Sequence, residues 1–182
     1  MTPASRREGF RGEFLWELEI AERQLMAIAQ AIPEEKFECR PNEKGRSVSE
    51  IFVHVAAGNL MLLDQIGVPA PDDLYGKLPT ETAERMWAMV KRNDEMEKNV
   101  RAKDAVATLL KRSLVTINES ISHASPEQLD RILHFFGEPT AVRRVYLRLL
   151  AHTHEHMGQL IAYLKFNQIA TPWPDWRPDR RG

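Results

Sequence analysis

TAVRRVYLRLLAHTHEHMGQLIAYLKFNQ, residues 140–168, places Val145, Leu149, His152, His156, Leu160 and Tyr163 at three- and four-residue steps. That spacing puts all six on one face of an α-helix. Pro139 stands just before the stretch, where it does not interrupt the hydrogen-bond ladder. At 1.5 Å per residue the helix is about 40 Å long, the full height of a helical bundle. Its inward face carries two histidines four residues apart, so the same stretch raises the question of function.

Working outward, the same period recurs. Phe14, Leu18, Ala21, Leu25, Ile28 and Ile32 form a second apolar stripe, with Glu17, Glu22, Arg23 and Gln24 largely on other faces. Pro33 stops that helix, and a charged loop containing Pro41 follows to Gly45. Residues 47–50, SVSE, have the form of a capping box, in which Ser47 caps the backbone and Glu50 reaches back. Val48, Ile51, Val55, Gly58 and Leu62 then mark a stripe that ends at GVPAP, residues 67–71. Residues 72–79 read as loop, and Thr80 is placed to cap a helix bearing Met86, Trp87 and Val90. Its continuation, residues 91–103, is dominated by charge and asparagine and reads as a lid or crossover. Asp104 is placed to cap a further strong helix through Val106, Leu110, Leu114, Ile117 and Ile121. Ser125-Pro126 opens a short helical turn reaching Leu133, before Phe135-Phe136-Gly137. Nothing reads as strand. The expectation is an all-α four-helix bundle with a crossover connection and short additional helices.

The 182 residues suit one domain, with the core at about residues 10–168 and a Pro/Trp tail at 169–182. Trp173 and Trp176, among Pro172, Pro174 and Pro178, are expected to pack that tail across the bundle or a partner. The 25 basic and 26 acidic residues give a formal charge of −1, so a dedicated nucleic-acid binder is not expected. Arg143, Arg144, Arg148, Arg177, Arg180 and Arg181 offer only a local patch. No apolar run reaches the roughly 20 residues that span a bilayer, and no signal peptide is visible, so a cytoplasmic protein is expected. Cys39 is the single cysteine; no intrachain disulfide can form, and a bystander in a charged loop is the favoured reading.

The histidines are unevenly spread. His152 and His156 lie one turn apart on an inward face, and His54 lies on the second helix beside Ile51, Gly58 and Met61. Three imidazoles from two core-facing surfaces suit a divalent metal. The plainer reading stays open on residues alone: a packed, hydrogen-bonded His54, and a chance pair at i and i+4. Gln159 lies three residues beyond His156, and Tyr163 two turns beyond it on the same face. Each is placed either to support the ligands from behind or to line a substrate pocket, Gln159 being the better candidate for support. His154 falls on the opposite side and reads as solvated; Glu155 does not complete a zincin motif. Met86, Met89 and Met96 read as core filling rather than pocket lining.

The run at residues 47–56, SVSEIFVHVA, resembles the first signature of the DinB-like (damage-inducible) proteins, and residues 152–164, HTHEHMGQLIAYL, resemble the second. Residues 169–174, IATPWP, are similar to the short ending after that helix. The likeness spans about residues 10–173 and is specific at these motifs. It implies a four-helix bundle with a long crossover, a divalent metal (zinc or nickel) on His54, His152 and His156, and a homodimer. One departure is visible: Arg46 stands where the family often has tryptophan, which changes a packing contact. Characterised members include metal-dependent transferases that use low-molecular-weight thiols. The resemblance therefore implies a metal-dependent hydrolase or transferase acting on a small thiol and an electrophile, with no catalytic side chain yet identified. A non-catalytic, stress-related metal-binding or interaction module is the competing expectation.

Overall fold

The computed structural model describes residues 8–173. Four long helices form a ring: α1 (Gly9–Ala31), α2 (Val48–Gln65), α5 (Lys103–His123) and α7 (Val142–Phe166). Going round the ring, α1 packs on α5, α5 on α2, α2 on α7 and α7 on α1. Of the remaining helices, α3 (Asp72–Tyr75), α4 (Thr82–Asn99) and α6 (Pro126–Asp130) lie in the connections. The all-α bundle expected from the sequence is the observed architecture.

Hydrogen bonds at the helix ends fix the directions. Lys103 at the start of α5 donates to the carbonyls of Gln30 and Ile32, and Arg11 at the start of α1 donates to that of Ala124. Helices α1 and α5 are therefore antiparallel. Arg101, just before α5, reaches Ser47 at the start of α2, so α2 and α5 run parallel. Two parallel neighbours cannot be joined by a tight turn. The chain returns through α4, which lies against α2 in the opposite sense: Arg85 at its start pairs with Asp64 near the end of α2, and Glu97 near its end reaches His54. The charged segment read as a crossover is that return strut.

Helix α2 departs from the one-stripe expectation. Thirteen of its residues are buried, including Phe52, Val53, Ala56, Ala57 and Leu60 as well as the expected Val48, Ile51, Val55, Gly58 and Leu62. A helix apolar all round belongs in the interior, and α2 is enclosed by α4, α5 and α7. The expected stripe of α1 is buried from Phe14 to Ile32. Met89 and Met96 fill core from α4.

Boundaries moved where caps compete. Glu81, not Thr80, caps α4, its carboxylate accepting from the Glu84 amide. Helix α5 starts at Lys103, ahead of Asp104, and residues 72–75 are helical rather than loop. A two-stranded hairpin, β1 (Ile132–Phe135) and β2 (Glu138–Ala141), corrects the expectation of no strand and of a helix reaching Leu133. Phe136 and Gly137 both take positive φ at its tip, the backbone twist that tight hairpins need. Pro139 and Thr140 lie in β2, so α7 begins at Val142 and ends at Phe166, inside the expected 140–168. No described helix is long and apolar enough to cross a membrane. Trp173 packs partly against the core; Trp176, Pro174, Pro178 and Arg177, Arg180 and Arg181 lie outside the described residues.

The capping box is formed as expected. Ser47 accepts from the Glu50 amide at 3.3 Å, and Glu50 accepts from the Ser47 amide at 2.8 Å. Arg40 and Arg101 also pair with Glu50, each at 3.0 Å. Burial pushes the Glu50 carboxyl upward, but the Ser47 amide and the two guanidinium groups outweigh it and leave the pKa below its ordinary 4.5. The stabilisation is thus present above about pH 4.5 and lost as pH falls through the lower, folded-state value. Glu50→Gln is expected to lower unfolding free energy by about 2 kcal/mol at pH 7. The gap to the parent closes in urea titrations at progressively lower pH; a gap constant from pH 7 to pH 3 contradicts this account.

Candidate metal centre

His54, His152 and His156 come together between α2 and α7, with one ring nitrogen of each within 4.8 Å of the others. Ring centroids are 4.6 Å apart for His54–His156 and for His152–His156, and 5.1 Å for His54–His152. The near-equilateral triangle follows from two facts of sequence. One helical turn separates the two histidines of α7, and antiparallel α2 presents His54 opposite them. All three rings are half-buried, at the flank of the α7 stripe rather than its centre. That centre runs through Val145, Leu149, Thr153, Met157, Leu160 and Leu164.

Two of the three rings are oriented from outside the triangle. His54 donates through Nδ1 to a Glu97 carboxylate oxygen at 2.6 Å, which leaves Nε2 as the lone-pair nitrogen. Glu97 in turn accepts from Arg46 Nε at 2.7 Å. Burial works against the Glu97 charge, yet the hydrogen bonds from His54 and Arg46 hold its pKa below the usual carboxylate value. His156 places Nδ1 2.8 Å from the Gln159 side-chain oxygen. Tyr163 lines the cavity next to the triangle, and no hydrogen bond joins it to the three rings among the described residues. Its hydroxyl donates to the Arg46 carbonyl at 2.5 Å, so it anchors the loop that carries Arg46.

Nitrogen chemistry makes this set fit a cation. His54 Nε2 and His152 Nε2 are 3.2 Å apart, and two lone pairs face each other at that distance only with a proton or a cation between them. Two nitrogens each about 2.0–2.1 Å from one zinc-like ion, at near-tetrahedral angles, are about 3.3 Å apart. His152 Nδ1 is buried without a hydrogen-bond partner among the described residues. Burial, with some repulsion from His156 and His54, pulls the His152 pKa down to about 3. Burial also lowers that of His156. Both imidazoles are therefore neutral near pH 7, the form that ligates.

Gly58 is the least obvious member. A Cβ there would stand 2.7 Å from His152 Cε1, so the His152 ring occupies space that any other residue would take. Beside the triangle, a cavity of about 770 Å³ is lined in part by Arg46, Glu97, Gln159 and Tyr163. Two of these lining residues are the partners of His54 and His156.

Three contributors were not foreseen from the sequence. Glu97 sits in the charged half of α4, where its only signal is its place four residues beyond buried Asn93. In the sequence Gly58 shows only as part of an apolar stripe, and Arg46 only as a changed packing contact. Other expectations resolve simply. His154 is exposed and bonds the Leu150 carbonyl, and Glu155 pairs with Arg148 on the surface. Arg143 pairs with Asp130, so the described part of the basic patch is largely engaged. Cys39 contacts Asn167.

A profile described as the DinB superfamily matches residues 17–160. Among solved structures, a DinB-like protein from Bacillus cereus ATCC 10987 superposes with a TM-score of 0.67 at 15% identity, covering 88% of this chain and 95% of that one. The DinB-like protein YjoA from Bacillus subtilis gives a TM-score of 0.53 at 15% identity, covering 87% and 94%. No curated protein matches the chain.

Gly58→Ala separates the site from the fold. Alanine in a helix interior gains about 0.5–1 kcal/mol over glycine, while the new methyl displaces the His152 ring. Urea stability within about 1 kcal/mol of the parent is expected, together with a shifted His152 ring resonance in NMR spectra. An unmoved His152 resonance contradicts the packing role.

Proposed function

We propose, from the premise that the chain belongs to the DinB superfamily, that it is a divalent-metal-dependent transferase of small thiols, with His54, His152 and His156 as the metal ligands. The observation that carries this reading is the triangle itself: three half-buried imidazoles, two of them turned by Glu97 and Gln159 so that Nε2 faces inward. Zinc or nickel suits three neutral nitrogens with positions left for other ligands. When bound, such an ion lowers the pKa of a thiol or water that reaches it.

The protein's own part is binding, orientation and charge balance. Glu97 fixes the His54 tautomer and places negative charge behind the ring. Gln159 does the same for His156 without a charge. The adjoining cavity is lined by Glu97 and Gln159, the partners of His54 and His156, together with Arg46 and Tyr163. A cavity walled by those two partners favours catalysis over the competing reading of a metal-binding module without activity. A homodimer belongs to the same proposal; the exposed Ile132 and Phe136 of the hairpin are among the apolar side chains it would cover.

Elemental analysis of the purified chain is expected to give close to one divalent ion per protomer, and a His152→Ala/His156→Ala variant close to none. Glu97→Gln is expected to retain the fold and to weaken metal affinity by about 10- to 100-fold, measured by competition with a chromophoric chelator. Metal-loaded protein is expected to join a small thiol to an electrophile, and the His156→Ala variant is expected not to. Absence of metal after reconstitution overturns the reading. Stoichiometric metal without any thiol transfer returns the protein to the non-catalytic module.

A further inference from the structure

Arg46 is held in place from two directions. Its Nε donates to Glu97 at 2.7 Å, and its carbonyl accepts from Tyr163 at 2.5 Å. That arrangement uses one edge of the guanidinium. The other N–H groups, on NH1 and NH2, have no protein acceptor among the described residues, and the side chain is 43% exposed on the wall of the 770 Å³ cavity.

The rest of the wall decides what this free edge meets. Glu50 is taken by Arg40 and Arg101, and Glu97 by Arg46 and His54. Lys44 and Lys98 also line the cavity, and neither ammonium group has a protein partner among the described residues. Asp94, on the same wall, is exposed and likewise unpaired. With its acids mostly engaged, the cavity attracts an anion. Asp94 and Glu97 disfavour a dianionic phosphate, whereas a single carboxylate matches the two parallel N–H groups of a guanidinium edge.

We propose that Arg46 is the specificity residue of this site and binds the carboxylate of a small carboxylated thiol whose sulfur reaches the histidine triangle. Lys44 and Lys98 draw the anion to the mouth, and Glu97 couples the anchor to His54. This assignment rests on the metal–thiol reading above and names the substrate class for it. Arg46 touches substrate and takes no part in bond making.

The test titrates the cobalt(II)-loaded full chain with 3-mercaptopropionate and with 3-mercaptopropionamide, of similar shape but uncharged. Cobalt visible absorption and calorimetry report binding. The acid is expected to bind about tenfold or more tightly than the amide, the scale of a charge-assisted pair. Arg46→Gln is expected to bring the two within about twofold, with cobalt loading measured separately because Arg46 also supports Glu97. Lys44→Gln/Lys98→Gln is expected to keep most of the preference. Equal binding of acid and amide by the parent chain overturns the Arg46 assignment and leaves the thiol reading standing. So does loss of preference in the lysine variant with retention in Arg46→Gln. No spectral response to either thiol overturns the thiol reading, and the assignment falls with it. Equal binding by the parent overturns the assignment even where Arg46→Gln does not hold cobalt.

Discussion

Burial of α2 on three sides is the constraint from which the rest of the molecule follows. Its residues are apolar around nearly the whole circumference, and such a helix is stable only when neighbours cover it. Three helices do so, and one of them, α5, lies parallel to α2 at its side. A parallel neighbour requires a long return, and that return is α4. The end of α4 consequently falls beside the start of α2, where Glu97 meets His54 and Arg46. Packing of an apolar helix and positioning of a carboxylate behind a ligand are thus one geometric consequence.

The same constraint explains what sequence reading captured and what it missed. Periodicity reports which residues share a face, so the four long helices and the pairing of His152 with His156 were legible from spacing. His54 joined them through its motif context. The capping box at Ser47 and Glu50 was legible because both halves lie within four residues. Glu97 is separated from His54 by 43 residues, and its local surroundings are charged on both sides. Only the reversal of α4 against α2 brings it to the ring, and that reversal is set by packing rather than by local pattern. The hairpin escaped notice for a different reason. Its register depends on a tip where Phe136 and Gly137 both adopt positive φ, and a phenylalanine there is not a typical hairpin signal.

Gly58 shows why a residue can be read correctly as packing and still be misjudged. It lies on the expected stripe and is buried, as the spacing required. What fills the space beside it is the His152 ring, not an aliphatic side chain. Glycine inside a helix costs about 0.5–1 kcal/mol against alanine. That cost is unexplained by core packing alone, since an alanine would bury more surface. It is explained by the volume the imidazole occupies. The missing Cβ of one helix makes room for the donor of another.

Charge follows a comparable logic. The acids near the triangle are matched one by one: Glu97 by His54 and Arg46, Glu50 by Arg40 and Arg101. A buried carboxylate without such partners would be driven toward its neutral form, and a neutral Glu97 would lose its hold on the His54 tautomer. Arg46 therefore has a structural duty through one edge of its guanidinium. Five donors in a rigid plane leave the other edge with spare capacity. Lysine in its place would satisfy Glu97 as a point charge, without a second edge of fixed direction. The planar group is what lets one side chain support the ligand behind the site and face the cavity in front of it.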